Sequence, residues 1–120
     1  HTFATGSTLA PGHAVIVFGG GEAPESIDGA WFVVAQNSDA GFSYGLHLTN
    51  EGNRLRLLDT DGLWVADLAY GTAGGPEAPE DQSLTRWPDG TGEWSPRSEV
   101  SSTGEIFSPG TRVDGGLFGI

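Results

Sequence analysis

The chain lacks cysteine, methionine and lysine, and it has no long apolar run. Without cysteine, neither a disulfide framework nor a thiolate metal site can form. No run approaches the roughly 18 consecutive apolar residues that a transmembrane helix needs, so we predict no membrane span. The missing methionine predicts that the sequence is a processed or excised piece of a longer protein.

Basic residues are scarce, which makes the charge strongly one-sided. Five arginines face 16 acidic residues, and the formal net charge is −11 at pH 7. This charge repels a polyanion such as DNA or RNA at long range, so we predict no nucleic-acid partner. The excess of acidic residues is typical of a solvated surface, and it favours the approach of cations.

Glycine and proline are abundant, with 20 and 7 residues in a chain of 120. Such frequent turn-forming residues favour short strands joined by turns and argue against long helices. The 37% of hydrophobic residues and 10% of aromatic residues indicate a globular protein. We therefore predict a single all-β domain over residues 1–120, built as a sandwich or a barrel.

Apolar segments between turn residues locate the strands. The segment "HAVIVFGGG" predicts a buried strand from Ala14 to Phe18, and residues 1–8 are predicted to pair with it as an edge strand. The segment "GAWFVVAQ" (29–36) predicts a second strand, with a short helix as the alternative. Further along, "SLTRW" predicts a strand and "PDGTG" the turn that follows it.

The segment "NRLRLLDTDGLWVADLAYG" (53–71) predicts a β-hairpin. Arg54 and Arg56 alternate with leucines, which is the period of a half-buried strand. The residues "DTDG" predict the turn, because Gly62 adopts a positive φ without strain. On the return strand, Asp67 is predicted on one face and four apolar residues on the other: Trp64, Ala66, Leu68 and Tyr70.

Four motifs in order resemble the lamin tail domain in its bacterial form. They are "LAPG…VIVF" (9–18), "LHLTNEGNRLRLLDTDGLWVADLAYG" (46–71), "QSLTRWPDGTGEW" (82–94) and "FSPGTRVDG" (107–115). Together they cover about half of the chain. The resemblance implies an immunoglobulin-like β-sandwich without catalytic residues, attached in bacteria to secreted or surface proteins as an accessory interaction module. It transfers no functional residue to this sequence.

The front of that family's pattern is missing from this sequence. The family begins with strands of the type "INEV" and "EFVELYN" followed by "DLSGW", and none of these occurs here. An incomplete sandwich exposes apolar faces and unpaired backbone groups. Three explanations are open: the strands lie in an absent part of the chain, a terminal segment replaces them, or a strand from a neighbouring chain completes the sheet.

The third explanation predicts a homo-oligomer or a subunit of a surface assembly. The C-terminal segment from Leu117 to Ile120 is apolar and follows two glycines, so it suits a donor strand. The simpler interpretation is that this segment is the last edge strand of its own domain. Other protein chains, or the missing part of its own chain, are therefore the predicted partners.

Asp59 and Asp61 are the candidate metal ligands, because both flank a turn. Calcium needs six to eight oxygen ligands from several converging groups. The segment "DTDG" lacks the remaining positions of an EF-hand loop, including its closing glutamate. We therefore favour an ordinary turn and predict no cofactor, with Ca²⁺ as the alternative.

Trp87, Asp89 and Trp94 are the candidate ligand-binding residues. Together with Trp64, the two tryptophans are suited to stack on a sugar, yet large aromatic side chains also fill small cores. Trp87 precedes Pro88, and the segment "PDGTG" is typical of a turn. We favour the turn, and the test that separates the two hypotheses is whether both tryptophans lie exposed on one face.

No catalytic constellation stands out in the sequence. It contains no cysteine that could act as a nucleophile, and its three histidines lack metal-ligand spacing. We predict a non-catalytic structural or interaction domain, secreted or at the cell surface, that acts as an accessory module or as a subunit of a surface assembly. The alternative is a carbohydrate-binding or calcium-dependent adhesion module.

Overall fold

The structure is a computed structural model, and it describes residues 1–35 and 45–119. The chain divides into two compact units. The first consists of His1–His47 and Ser108–Ile120, and the second of Leu48–Phe107. This division into units does not test the prediction that residues 1–120 form a single domain, which stays a prediction.

Short strands dominate the described residues, as the glycine and proline content predicts. The strands form three two-stranded sheets, in which β1 pairs with β2, β3 with β4, and β5 with β6. One helix of four residues follows them, and no helix of the described residues has the length and apolarity to cross a membrane. The elements are β1 (Ala14–Phe18), β2 (Ala30–Val34), β3 (Gly52–Leu58), β4 (Trp64–Gly71), β5 (Leu84–Trp87), β6 (Glu93–Pro96) and α1 (Arg97–Val100).

The first unit is built on the parallel pair of β1 and β2. Its register runs from Ala14 opposite Ala30 to Phe18 opposite Val34. Both strands lie where the apolar segments predict them, and the strand is confirmed over the helix for β2.

The edge strand predicted over residues 1–8 is wrong. The chain turns there, since the N–H of Ser7 donates to the carbonyl of Ala4 at 3.0 Å and Gly6 has a φ of 83°. A positive φ at Gly6 interrupts the extended backbone that a strand requires. Phe3 instead packs against Trp31 of β2, with ring centroids 5.8 Å apart.

The C-terminal segment belongs to the first unit. Leu117 forms an isolated β-bridge with Thr111, and the N–H of Gly119 donates to the carbonyl of Gly12 at 2.8 Å. The guanidinium of Arg112 lies 5.7 Å from the ring of Phe118. These contacts place residues 117–119 against their own chain. The segment forms an isolated bridge followed by a turn, so the edge strand predicted there is not formed by residues 117–119.

The hairpin predicted over residues 53–71 is confirmed as the antiparallel pair of β3 and β4. A register shift between Leu57 and Leu58 changes the predicted face of one residue. Trp64 pairs with Leu58 and joins the side of Arg54 and Arg56, whose guanidinium carbons lie 6.0 and 4.0 Å from its ring. The prediction that Trp64 shares a face with Leu68 is therefore wrong, because a β-bulge inserts one residue and inverts the alternation beyond it.

The second hairpin consists of β5 and β6, as "SLTRW" and "PDGTG" predict. Residues 88–92 connect the strands, and the amides of Thr91 and Gly92 donate to the carbonyl of Pro88 at 3.1 and 2.8 Å. A side chain at Gly92 would place its Cβ 1.7 Å from the carbonyl oxygen of Trp87, so only glycine fits this position.

Few large side chains are fully buried among the described residues. The buried apolar residues are Ala30, Ala35 and Val113, all in the first unit, and the buried charged residue is Arg97 in the second. Many large apolar side chains remain exposed, and five of them cluster at the turn of the β3–β4 hairpin. Exposed apolar side chains are therefore concentrated at the turn of that hairpin.

Candidate functional site

The turn end of the β3–β4 hairpin exposes an apolar surface, which we call the hairpin end. Its side chains come from the last residues of β3, from the turn and from the first residues of β4. The exposed fractions are 47% for Leu57, 50% for Leu58, 65% for Leu63, 57% for Trp64 and 63% for Val65. These side chains come from both faces of the hairpin, since Leu57 pairs with Ala66 and the next residue, Leu58, pairs with Trp64. Exposed apolar side chains grouped at one end of a hairpin are typical of an interaction surface.

Asp59 fixes the turn that presents the hairpin end. Its Oδ1 accepts hydrogen bonds from the amides of Asp61 and Leu63, each at 2.9 Å. Its own amide donates to the carbonyl of Leu63 at 2.9 Å, and its carbonyl accepts from Gly62 at 3.1 Å. Side-chain acceptance from amides two and four residues ahead is the usual role of aspartate in a turn.

The two candidate metal ligands, Asp59 and Asp61, therefore lie in a turn that the hydrogen bonds of Asp59 stabilise. One carboxylate oxygen of Asp59, Oδ1, accepts from two backbone amides, while Asp61 is exposed. In residues 1–35 and 45–119, no group of three or more histidine, aspartate or glutamate side chains lies close enough to hold a metal ion. Calcium binding at Asp59 and Asp61 stays a prediction.

A charged cluster borders the hairpin end on the side of Trp64. The Nε of Arg54 donates to the Oδ1 of Asp67 at 2.8 Å, and its Nη2 donates to the other carboxylate oxygen. The Nε of Arg56 lies 3.8 Å from the Oδ1 of Asp67, and its guanidinium lies 4.0 Å from the Trp64 ring centroid. One face of the Trp64 ring is thus covered by Arg56, a cation–π contact, which leaves less of the ring for a sugar.

The ion pair changes the protonation equilibria of both partners. The hydrogen bond from Arg54 is the main cause that lowers the pKa of Asp67 below its usual range. The same bond, followed by the charge of Asp67, raises the pKa of Arg54. Both side chains are charged at neutral pH, and the bidentate geometry holds the arginine in one orientation.

We expect Asp67→Asn to lower the thermal unfolding midpoint at pH 7, and the difference from the wild type to disappear in acid. The folded-state pKa of Asp67 is lowered, so the pair stabilises the fold above the unfolded-state value of about 4. That stability is lost as the pH falls through the lower folded-state pKa. Melting curves of both proteins between pH 7 and pH 2 test this, with Asp61→Asn as the matched control. A gap between Asp67→Asn and the wild type that stays constant with pH would contradict it.

The candidate ligand-binding residues of the second hairpin do not share a face. Arg86 pairs with Trp94 and Trp87 pairs with Glu93, so consecutive pairs place the two tryptophans on opposite sides of the sheet. The guanidinium of Arg86 lies 5.7 Å from the Trp94 ring, and its Nε donates to the carbonyl of Gly92 at 2.6 Å. Trp87 and Trp94 therefore form no joint platform.

Trp87 and Asp89 remain open to solvent. The side chain of Trp87 is 40% exposed, and Asp89 is exposed in the connection that follows. Trp94 is half-buried. Of the two tryptophans, Trp87 is thus the one that offers an exposed aromatic surface.

A second group of polar residues lies in the first unit. His13, Ser26 and Asp28 line an open depression of about 440 Å³ between β1 and the start of β2. The hydroxyl oxygen of Ser26 accepts a hydrogen bond from the amide of Phe32 at 3.2 Å. It therefore holds the edge of β2 and is not bonded to His13 as a nucleophile would be bonded to its base.

Sequence reasoning missed the arginine–tryptophan cluster. The alternation of Arg54 and Arg56 indicates that both lie on one face, but the bulge that brings Trp64 to them leaves no local mark. Comparison of the chain with protein-family models, curated proteins and solved structures finds no match.

Proposed function

We propose that this protein is a non-catalytic structural or interaction domain of the lamin-tail type, secreted or at the cell surface. It acts as an accessory module or as a subunit of a surface assembly and contacts other protein chains. The observation that supports this most directly is the hairpin end, where five large apolar side chains are between 47% and 65% exposed.

The hairpin end is suited to protein contact by its composition. Burying a leucine or tryptophan contributes about 1.5–3 kcal/mol each, and aromatic and arginine side chains dominate binding energy in interfaces. Trp64 with Arg56 stacked on it is such a pair. The side chains of Arg54 and Arg56 are 48% and 41% exposed. Their guanidinium groups are therefore accessible to carboxylates of a partner protein.

The lamin-tail proposal rests on the order of the motifs and on the elements they form. The motif at 46–71 contains the β3–β4 hairpin, and the motif at 82–94 contains β5, the connection and the start of β6. Among the residues that the structure describes, each sheet has two strands. A two-stranded sheet is marginally stable alone, so the immunoglobulin-like sandwich that we propose needs strands beyond these pairs.

Replacing Leu63 with serine tests the interaction surface. Leu63 is the most exposed large apolar residue of the hairpin end, so its loss weakens association without disturbing the fold. Sedimentation velocity from about 5 to 500 μM should show association of the wild type, and the variant should need about tenfold higher concentration. Leu9→Ser, which removes a leucine of 49% exposure outside the hairpin end, is the control and should behave as the wild type.

Equal association of the Leu63→Ser and wild-type proteins would contradict a role for the hairpin end. A wild type that stays monomeric throughout the range would count against a subunit of a homo-assembly. Melting curves of all three proteins confirm that each is folded before the comparison is made.

The second candidate function is carbohydrate binding, favoured by the exposed ring of Trp87, with exposed Asp89 two residues further along the chain. An exposed aromatic ring next to a hydrogen-bonding acid suits the apolar face and the hydroxyls of a sugar. A glycan array probed with and without Ca²⁺ examines this function. A signal that needs Trp87 would favour it over the interaction domain, and a signal that needs calcium would favour the adhesion module.

A further inference from the structure

The β1–β2 sheet of the first unit has one edge whose first outward amides are hydrogen-bonded. On the outer side of β2, the amide of Ala30 donates to the carbonyl of Ile27 at 2.9 Å. The amide of Phe32 donates to the hydroxyl oxygen of Ser26 at 3.2 Å. Residues 26 and 27 therefore cap the first half of this edge and compete with any added strand.

The edge of β1 is different. The amide of Ala14 donates to the carbonyl of Gly29 at 3.0 Å, and the carbonyl of Phe18 accepts from the amide of Ala35 at 2.7 Å. In a parallel pair, alternate residues of a strand face the partner, so Ala14, Ile16 and Phe18 direct their backbone groups to β2. Val15 and Val17 direct their amides and carbonyls to the other side, where the described part of the chain supplies no hydrogen-bond partner.

The residues of β1 are also suited to strand addition. The segment "AVIVF" is uncharged and β-branched, and it contains no proline. No aspartate, glutamate or arginine occurs from residue 2 to residue 21, although the whole chain has a net charge of −11. Two copies of so acidic a chain repel each other over most of their surface, but at β1 they can approach without opposing carboxylates.

We propose that β1 pairs with β1 of a second copy of this chain in an antiparallel arrangement about a two-fold axis at Ile16. In that register Val15 lies opposite Val17 of the second copy. Both residues direct their backbone groups outward, so each pair exchanges both hydrogen bonds. The same patch serves on both copies, as an isologous interface requires.

The dimer joins the two parallel pairs into one four-stranded sheet in the order β2-β1-β1-β2. It removes the open edge of each copy and brings the sheet to a size that is stable by itself. This interface lies in the first unit and uses none of the residues of the hairpin end, so it goes beyond the proposed function and is tested apart from it.

The absence of cysteine from the chain makes the register directly testable by crosslinking. In the proposed register Ile16 lies opposite Ile16 of the second copy as a non-hydrogen-bonded pair, with Cα atoms about 4.5 Å apart. This distance lies within the range of a disulfide. Val15 lies two positions away from Val15 of the second copy, beyond that range.

We expect Ile16→Cys to form a disulfide-linked dimer at least tenfold faster than Val15→Cys under mild oxidation at about 50 μM. Gly20→Cys, in the open loop after β1, measures crosslinking by random collision. Crosslinking of Ile16→Cys no faster than that of Gly20→Cys would overturn the proposal. Adding Leu63→Ser to Ile16→Cys should leave the crosslinking rate unchanged, which separates this interface from the hairpin end.

A second variant tests the outward hydrogen bonds. Val17→Pro removes an amide that β2 does not use, so we expect the dissociation constant to rise at least tenfold while the monomer stays folded. If the variant does not fold, hydrogen exchange of the wild-type protein still tests the proposal. Protection of the Val15 and Val17 amides that rises with protein concentration supports the dimer, whereas protection in a monomer shows that another segment of the same chain covers the edge and overturns it.

Discussion

Gly29→Ala is expected to destabilise the first unit severely, whereas Gly21→Ala is tolerated. Both glycines have a left-handed backbone, with φ values of 81° and 76°. A non-glycine residue costs about 1–2 kcal/mol in this conformation, so that cost is common to both variants. The difference between them lies in the space around the added methyl group.

At Gly29 the new Cβ would lie 1.8 Å from the carbonyl oxygen of Phe118 and 2.4 Å from its carbonyl carbon. At Gly21 nothing lies within 4 Å. The clash involves backbone, which cannot rotate away, so either residue 29 or the C-terminal segment must move. The carbonyl of Gly29 accepts the first hydrogen bond of the β1–β2 pair, from the amide of Ala14, so a shift there disrupts the sheet as well.

We expect Gly29→Ala to cost more than about 3 kcal/mol of unfolding free energy and Gly21→Ala about 1 kcal/mol. Urea unfolding followed by NMR signals of β1 and β2 measures the difference in the unit concerned. Equal losses in the two variants would show that residues 117–119 do not pack against Gly29.

Glu105→Gln is expected to cost about 1–3 kcal/mol, far more than the same change at a glutamate that does not pair with a buried arginine. Arg97 is 1% exposed, and its Nη2 lies 3.1 Å from the Oε2 of Glu105, whose side chain is 50% exposed. Removing the carboxylate charge leaves a buried guanidinium without this counter-ion. Partial solvent access to Glu105 keeps the loss below the 3–5 kcal/mol typical of a fully buried pair.

The backbone around this pair holds the two side chains in place. The amide of Arg97 donates to the carbonyl of Ser83 at 2.9 Å. The amide and hydroxyl of Ser83 donate to the carbonyl of Ile106 at 2.9 and 3.1 Å. Ser83 thereby links the start of α1 to Ile106, the residue that follows Glu105. The ion pair between Arg97 and Glu105 connects the same two segments through their side chains.

A double-mutant cycle with Arg97→Met measures the pair itself. We expect a coupling energy of about 1–2 kcal/mol between the two positions, because the cost of Glu105→Gln falls once the buried charge is gone. Glu99→Gln, on the exposed side of α1, is the control and should change the unfolding free energy by less than about 0.5 kcal/mol. A loss at Glu105 equal to that at Glu99 would contradict the assignment.

The sequence locates the strands and turns well because their causes are local. The alternation of arginine and leucine at 54–57 predicts β3, and the aspartate–glycine turn at 59–62 predicts where the chain reverses. The order of motifs predicts a second hairpin at 82–94, which β5 and β6 form. In each case a few neighbouring residues decide the backbone conformation, through preferred φ values and the period of two.

The face of Trp64 and the partner of β1 show where local reasoning fails. A bulge changes which side chains lie together, and it arises from pairing with the other strand. The pattern of β1 fits pairing with residues 1–8 as well as with β2. The choice depends on the turn at Gly6 and on the packing of β2, which lie outside the strand itself.

What the sequence by itself determined is the class of the protein: short strands, frequent turns, an acidic surface and no disulfides. Composition and nearest neighbours control these properties, so they can be derived without a fold. The tertiary structure alone decided that Arg97 is buried, that Arg56 stacks on Trp64 and that Trp87 and Trp94 lie on opposite faces. It also decided that residues 1–35 and 45–119 supply no hydrogen-bond partner to the outward amides of Val15 and Val17. Each of these depends on contacts between residues distant in the chain, and such contacts form only when the strands have paired.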